Sequence, residues 1–166
     1  VQLDPNVEKI AQVIMPAIME TWEAEDDRTA AIEICQSFAS CLNKCGPGLI
    51  SPQWIEPTCQ LTMQILEKKA PSQIDPEADE DEETEDSSEY ESVLISAAMD
   101  LVGAMAYVLC DSFMTPMRQF LPLLCKYYSP GRSVTDRATA IGSLGEITVN
   151  MKRAITVSYT HLTLPT

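Results

Sequence analysis

Along most of this 166-residue chain, apolar residues recur at spacings of three and four, the period of helices that bury one face. In the first such segment, expected over about residues 5–23, Ile10, Ile14, Ala17, Ile18 and Trp22 form the stripe. A second helix is expected over about 27–44, stopped by Gly46 and Pro47. A third, about 51–69, opens on Ser51 as N-cap with Pro52 in the first helical position. Three more follow, over about 90–111, 115–128 and 134–155. No alternating strand pattern competes with them.

The helices repeat in pairs. "IMPAIMETW", "IEPTCQLTM" and "FLPLLCKYY" each place a proline (Pro16, Pro57, Pro122) inside a helix, two positions after a large apolar residue (Ile14, Ile55, Phe120). An internal proline removes a hydrogen bond and kinks a helix, so three such placements point to a shared unit. The intervals are 41 and 65 residues, and subtracting an insertion of about twenty residues, 71–90, brings the second to about 45, so both fit the period of a two-helix solenoid unit. The second helices give an independent match: "DRTAAIEIC" from Asp27 aligns with "DRATAIGSL" from Asp136. Arg28 with Ala31, and Arg137 with Ala140, fit the Arg-x-x-Ala step of HEAT-type second helices. Trp22 and Gly131 stand where such repeats often carry an Asp, and no Arg occurs near residue 92 of the middle repeat. The expected fold is all-α, an α-solenoid of HEAT repeats with about three antiparallel helix pairs over residues 1–156 and an acidic disordered insertion in the middle repeat.

Charge changes this picture at one place. The run "DPEADEDEETEDSSEYE", residues 75–91, holds eleven of the 25 acidic residues, and no Lys or Arg lies between Lys69 and Arg118. It carries most of the formal net charge of −14. Such a balance repels nucleic-acid phosphates, so an electrostatic partner of the run is a basic protein surface or a divalent cation. A calcium loop is disfavoured, since the run lacks the glycine and the fixed ligand spacing.

Other chemistry is thin. The cysteines at 35, 41, 45, 59, 110 and 125 include no C-x-x-C pair, and the single histidine, His161, lies near the C-terminus. They read as free thiols acting as small buried hydrophobes, with no metal site or cofactor expected. "SVLISAAMDLVGAMAYVLC", residues 92–110, is about the length of a membrane span, but Asp100 sits at its centre and five small residues dilute it. A helix buried on most faces is expected instead. "GSLGE" at 142–146 reads as close helix packing with Ile141 and Leu144 on the buried side, not as a phosphate loop. Trp22 and Trp54 read as core. Tyr127 and Tyr128, with Lys126 and Arg132, read as the polar surface of a turn. No catalytic constellation is present, and binding is the expected role.

"EYESVLISAAMDLVGAMAYVL" directly after an acidic strip, followed by "FLPLLCKYYSPGRSVTDRATAIGSLGEITVNMKRAI", resembles the later HEAT repeats of the importin-4 subgroup of the β-karyopherins. The resemblance covers about residues 1–155 and is strongest from Glu89 to Ile155. It implies a nuclear import receptor that shuttles between cytoplasm and nucleus. Such a receptor wraps basic cargo such as ribosomal proteins and histones, contacts nucleoporins, and releases cargo to Ran-GTP; neither nucleic acid nor membrane insertion is implied. The last ten residues, "VSYTHLTLPT" (157–166), do not continue the repeat and resemble translated adaptor sequence; a chain that also starts without Met is expected to be a fragment.

Two readings of the acidic run stay open. In one it is a solvated loop that keeps the protein soluble. In the other, Asp75, Glu77, Asp79, Glu80, Asp81, Glu82, Glu83, Glu85, Asp86, Glu89 and Glu91 capture Lys/Arg-rich cargo segments, and phosphorylation at Thr84, Ser87 or Ser88 deepens the charge. Beside the import receptor stand two other classes: a HEAT scaffold subunit of a phosphatase or kinase assembly, and an acidic histone chaperone.

Overall fold

A computed structural model of the chain describes residues 5–74 and 85–162. Six α-helices follow one another: α1 (Pro5–Ala24), α2 (Arg28–Cys45), α3 (Pro52–Leu66), α4 (Glu85–Leu109), α5 (Met114–Tyr127) and α6 (Val134–Leu162). Short 3₁₀ turns lie at Gly46–Leu49, Pro71–Gln73 and Cys110–Phe113, and no strand occurs among the described residues. Local chemistry sets the ends. Asp27 caps α2 through a 2.8 Å bond accepted by Oδ1 from the Ala30 N–H. At the other end Gly46 takes φ = 70°, and its N–H bonds to the Leu42 carbonyl. Ser51 stands at the N-cap of α3 as expected, but its side chain makes no capping bond; Pro52 alone starts the helix.

Pro16, Pro57 and Pro122 all lie inside helices, one in each of α1, α3 and α5. Each leaves a carbonyl four residues back without its usual donor, those of Gln12, Gln53 and Arg118. All three of these residues are exposed, so water can satisfy the freed groups.

The first helices α1, α3 and α5 make one layer, and the second helices α2, α4 and α6 make the other. Within the second layer α4 lies between α2 and α6 and also packs on α3. The register between α4 and α6 follows the repeat length. Ser92 meets Asp136, 44 residues on, and Gly103 meets Asn150, 47 residues on, so these helices run parallel. In the other layer the end of α3 meets the end of α5, where the Tyr127 hydroxyl bonds to the Leu66 carbonyl at 2.7 Å. The all-α HEAT solenoid of three helix pairs expected from the sequence is the fold observed.

α4 is buried on most of its circumference by Leu94, Ile95, Ala97, Ala98, Met99, Leu101, Val102 and further residues to Val108. The stretch 88–127 is long and apolar enough to cross a bilayer, but 67% of its most apolar window is buried inside the protein. Core packing accounts for its hydrophobicity.

Several expectations are corrected. The buried stripe of α1 is Ala11, Met15, Met19 and Trp22, whereas Ile10 and Ile14 of the expected stripe are exposed. In α6 the buried line is Ala140, Ser143, Ile147 and Met151; Ile141, expected inside, is 53% exposed. Both helices carry apolar residues on two sides, and a 3.6-residue period cannot tell which side meets the neighbour. α4 starts at Glu85 instead of about 90, so the last residues of the expected insertion are helical. At its other end, residues 71–73 form a 3₁₀ turn that buries Ser72. The end of α6, expected near 155, lies at Leu162. Only Cys35 and Cys59 are buried; Cys41, Cys45, Cys110 and Cys125 are exposed.

Substitutions in α6 separate its two apolar sides. Ile147→Ala should cost about 2–5 kcal/mol, as a cavity in a packed core does. Ile141→Ser should stay within about 0.5 kcal/mol of wild type. Urea unfolding of this chain checks both.

Candidate functional site

Of the acidic residues singled out above, Asp75, Glu77, Asp79, Glu80, Asp81, Glu82 and Glu83 lie outside the described residues. Glu85 and Asp86 fall in the first turn of α4. Glu89 is exposed. Glu91 is different. Its Oε1 accepts a 3.0 Å bond from Gln73 Nε2 and lies 3.4 Å from Lys68 Nζ, so it ties α4 to the turn after α3. Gln73 also donates to the Ile65 carbonyl at 3.0 Å. These bonds fasten together the two roots of the insertion.

Lys68 reaches Glu91 from an unusual backbone. It takes φ = 60°, and the Lys69 and Lys68 N–H groups bond to the carbonyls of Gln64 and Ile65 at 2.8 and 3.0 Å. That is a helix-ending pattern more often given to glycine.

The roots open into a polar cleft of about 350 Å³, among whose walls are Arg28, Lys68, Glu91, Tyr127, Arg132 and Asp136. It lies where the start of α2, α4 and α6 meets the turns after α3 and α5. Arg28 Nε donates to the Ser72 carbonyl at 3.2 Å, and Ser92 Oγ lies 3.5 Å from Asp136 Oδ1. Tyr127 is buried, with the Arg132 guanidinium 5.0 Å above its ring. Burial pushes its phenol up to about 12, with Arg132 opposing the rise. Tyr127 is a packing residue. Tyr128 remains exposed at the turn.

A second, more open groove of about 580 Å³ runs along the uncovered side of α4, lined by Gln36, Glu89, Ser96, Asp100, Thr135 and Thr139 among others. Asp100 is held above the usual carboxylate range, first by burial and then by the negative charge of Glu146 on α6. The Glu146 carboxylate lies beside Gly103, where an added Cβ would meet its Oε2 at 3.4 Å, an ordinary van der Waals contact. The groove presents carboxylates and hydroxyls and no basic side chain, a surface that suits cationic side chains. Asp100 and Glu146 were not among the expected site residues. Their separation in sequence is close to one repeat, which is the signal that could have paired them.

Trp22 packs edge-on against Phe38 with ring centres 6.2 Å apart, and Trp54 is half-buried, as core residues are. The Cys35 and Cys59 thiols are pushed up to about 12 by burial, which keeps them protonated and inert. No group of three metal-ligating side chains occurs among the described residues.

Two substitutions test this site. Tyr127→Phe should cost about 1 kcal/mol by orphaning the Leu66 carbonyl. Because the folded phenol titrates higher than the unfolded one, wild-type stability from this group is full below pH 10 and falls as pH rises toward 12; the Phe variant should lack that fall. Asp100→Asn should raise the melting temperature at pH 7 and lose its advantage in acid, because a raised carboxyl contributes stability only while protonated. Thermal melts across pH check both.

No family model matches the chain. It is 30% identical over 164 residues to "Probable importin subunit beta-4" of Schizosaccharomyces pombe, a match spanning 94% of this chain and 15% of that protein. It is 28% identical to "Importin-4" of Mus musculus over 86% of this chain and 14% of that protein. Against "Importin-4" of Homo sapiens it is 27% identical over 80% of this chain and 12% of that protein. The chain therefore spans about one seventh of the length of these relatives. With a solenoid of kinked helix pairs already in view, these matches show a relationship to importin-4 and the importin-β family over most of the chain.

Proposed function

We propose that the chain is a segment of a nuclear transport receptor that captures basic cargo, ribosomal proteins and histones in particular, through its acidic insertion. The full-length receptor carries that cargo through the pore on nucleoporin contacts and releases it to Ran-GTP. It shuttles between cytoplasm and nucleus and performs no catalysis. The observation that carries this reading is the eleven-carboxylate run within the middle repeat of a solenoid, between α3 and α4, together with a groove along α4 whose described lining holds no basic side chain. Stacked repeats offer extended binding surfaces, and exposed like charges attract an oppositely charged segment before contact. Glu91 serves as an anchor through Lys68 and Gln73, which leaves Asp75, Glu77, Asp79, Glu80, Asp81, Glu82, Glu83, Glu85, Asp86 and Glu89 to act on cargo.

Stopped-flow binding of a histone-type basic segment to the full-length receptor tests the proposal. Replacing those ten acids by Ser and Gln should lower mainly the association rate, because exposed charges act through encounter more than through residence time. The deficit should shrink as salt rises, since screening acts over about 8 Å at physiological ionic strength. Equal rates at low salt would make the run a solvated loop. In the same assay Ran-GTP should release the bound segment; a scaffold subunit or a histone chaperone would show no such release.

A further inference from the structure

The polar cleft at the roots of the insertion has a composition that cargo capture does not use. In a chain with a net charge of −14, it gathers three cations, Arg28, Lys68 and Arg132, against two carboxylates, Glu91 and Asp136, with the buried Tyr127 phenol beside them. Such a locally positive cleft is a receiver for an anion. Ser88, Glu91, Ser92 and Ile95 all line it and are spaced i, i+3, i+4 and i+7 along α4, with Ser88 one turn before Glu91; Ser88 and Ser92 stand on the ridge between this cleft and the groove along α4 and line both. Ser92 is half-buried and engaged with Asp136, whereas Ser88 is exposed. Ser88 is also surrounded by acids, with Glu85 and Asp86 before it and Glu89 and Glu91 at the first and third positions after it. That context suits a Ser/Thr kinase that reads carboxylates. Ser88 lies in the opening turn of α4, where local unwinding for access to a kinase is least costly.

We propose that Ser88 is a phosphorylation site whose phosphoryl group is received across the cleft by Lys68 and Arg132. Transfer from ATP forms the Ser88 Oγ–P bond and breaks the bond from the γ-phosphorus to the β,γ-bridging oxygen. ADP leaves, and the hydroxyl proton passes to the base of the kinase. The product carries about −1.5 to −2 charges and three strong acceptor oxygens. It shares Lys68 with Glu91 and adds a tie from α4 to the turn after α5, where Arg132 sits. Its position in the opening turn of α4 also suits the helix dipole. The modification thus fixes the α4 root of the insertion as well as adding charge, and it does not depend on cargo capture.

The full chain, phosphorylated in vitro by an acid-directed Ser/Thr kinase with ATP and Mg²⁺, is mapped by mass spectrometry and titrated by ³¹P NMR. Phosphate is expected at Ser88, with its resonance absent from Ser88→Ala. Its second ionisation is raised by the neighbouring carboxylates and lowered by Lys68 and Arg132. Lys68→Met and Arg132→Met, each checked for retained helicity by circular dichroism, should each move the midpoint up. An unmodified Ser88, or a midpoint that either substitution leaves unmoved, overturns the proposal.

Discussion

The burial of α4 is the constraint on which the rest of the structure depends. A helix that is apolar around most of its circumference cannot face water, and here α2, α6 and α3 together cover it. Small residues make that cover close: Ala97, Ala98, Ala104 and Ala106 are all buried. Because α2 and α6 pack on opposite flanks of α4, its position links the first and third repeats through the second. The acidic run enters between α3 and α4, outside the buried stretch of α4, and its last residues form the opening turns of that helix. Loop closure costs little for added length, whereas a residue inserted within α4 would rotate its buried surface out of register.

Electrostatics follow from that placement. Carboxylates concentrated in one run need their attachment points held against mutual repulsion, and the Lys68–Glu91–Gln73 cluster holds them. The cations of the chain's middle section lie at the roots of the insertion, not along it. The groove on the uncovered side of α4 continues the negative character with Glu89 and Asp100. Among the described residues, the groove along α4 thus carries carboxylates, while the cleft at the roots is locally positive.

Much of the fold was legible in the sequence because its signals are local. Six helical periods, three internal prolines and the Gly46 stop each depend on a few neighbouring residues, and the structure places them as expected. The pairing of helices followed from the repeat interval. What remained hidden depends on contacts between repeats. Ile10 and Ile14 satisfied the helical period as well as Met15 and Met19 did, but only the latter side meets α3 and the core. The exposure of Cys41, Cys45, Cys110 and Cys125 is likewise set by which face turns inward. Lys68 in a left-handed turn has no glycine to announce it. Of the candidate site, the acidic run was evident from composition. The internal engagement of Glu91 and the approach of Asp100 to Glu146 needed the register of α4 against its neighbours.

Native-state hydrogen exchange across the chain tests most directly the claim that α4 is the centre of one continuous stack. Amides report local opening, and the most deeply packed helix opens only with the whole fold. The account predicts that residues 94–108 of α4 exchange most slowly, with free energies equal to that of global unfolding, while α1 and α6 exchange sooner. Exchange in α4 as fast as in α1 and α6 would contradict it.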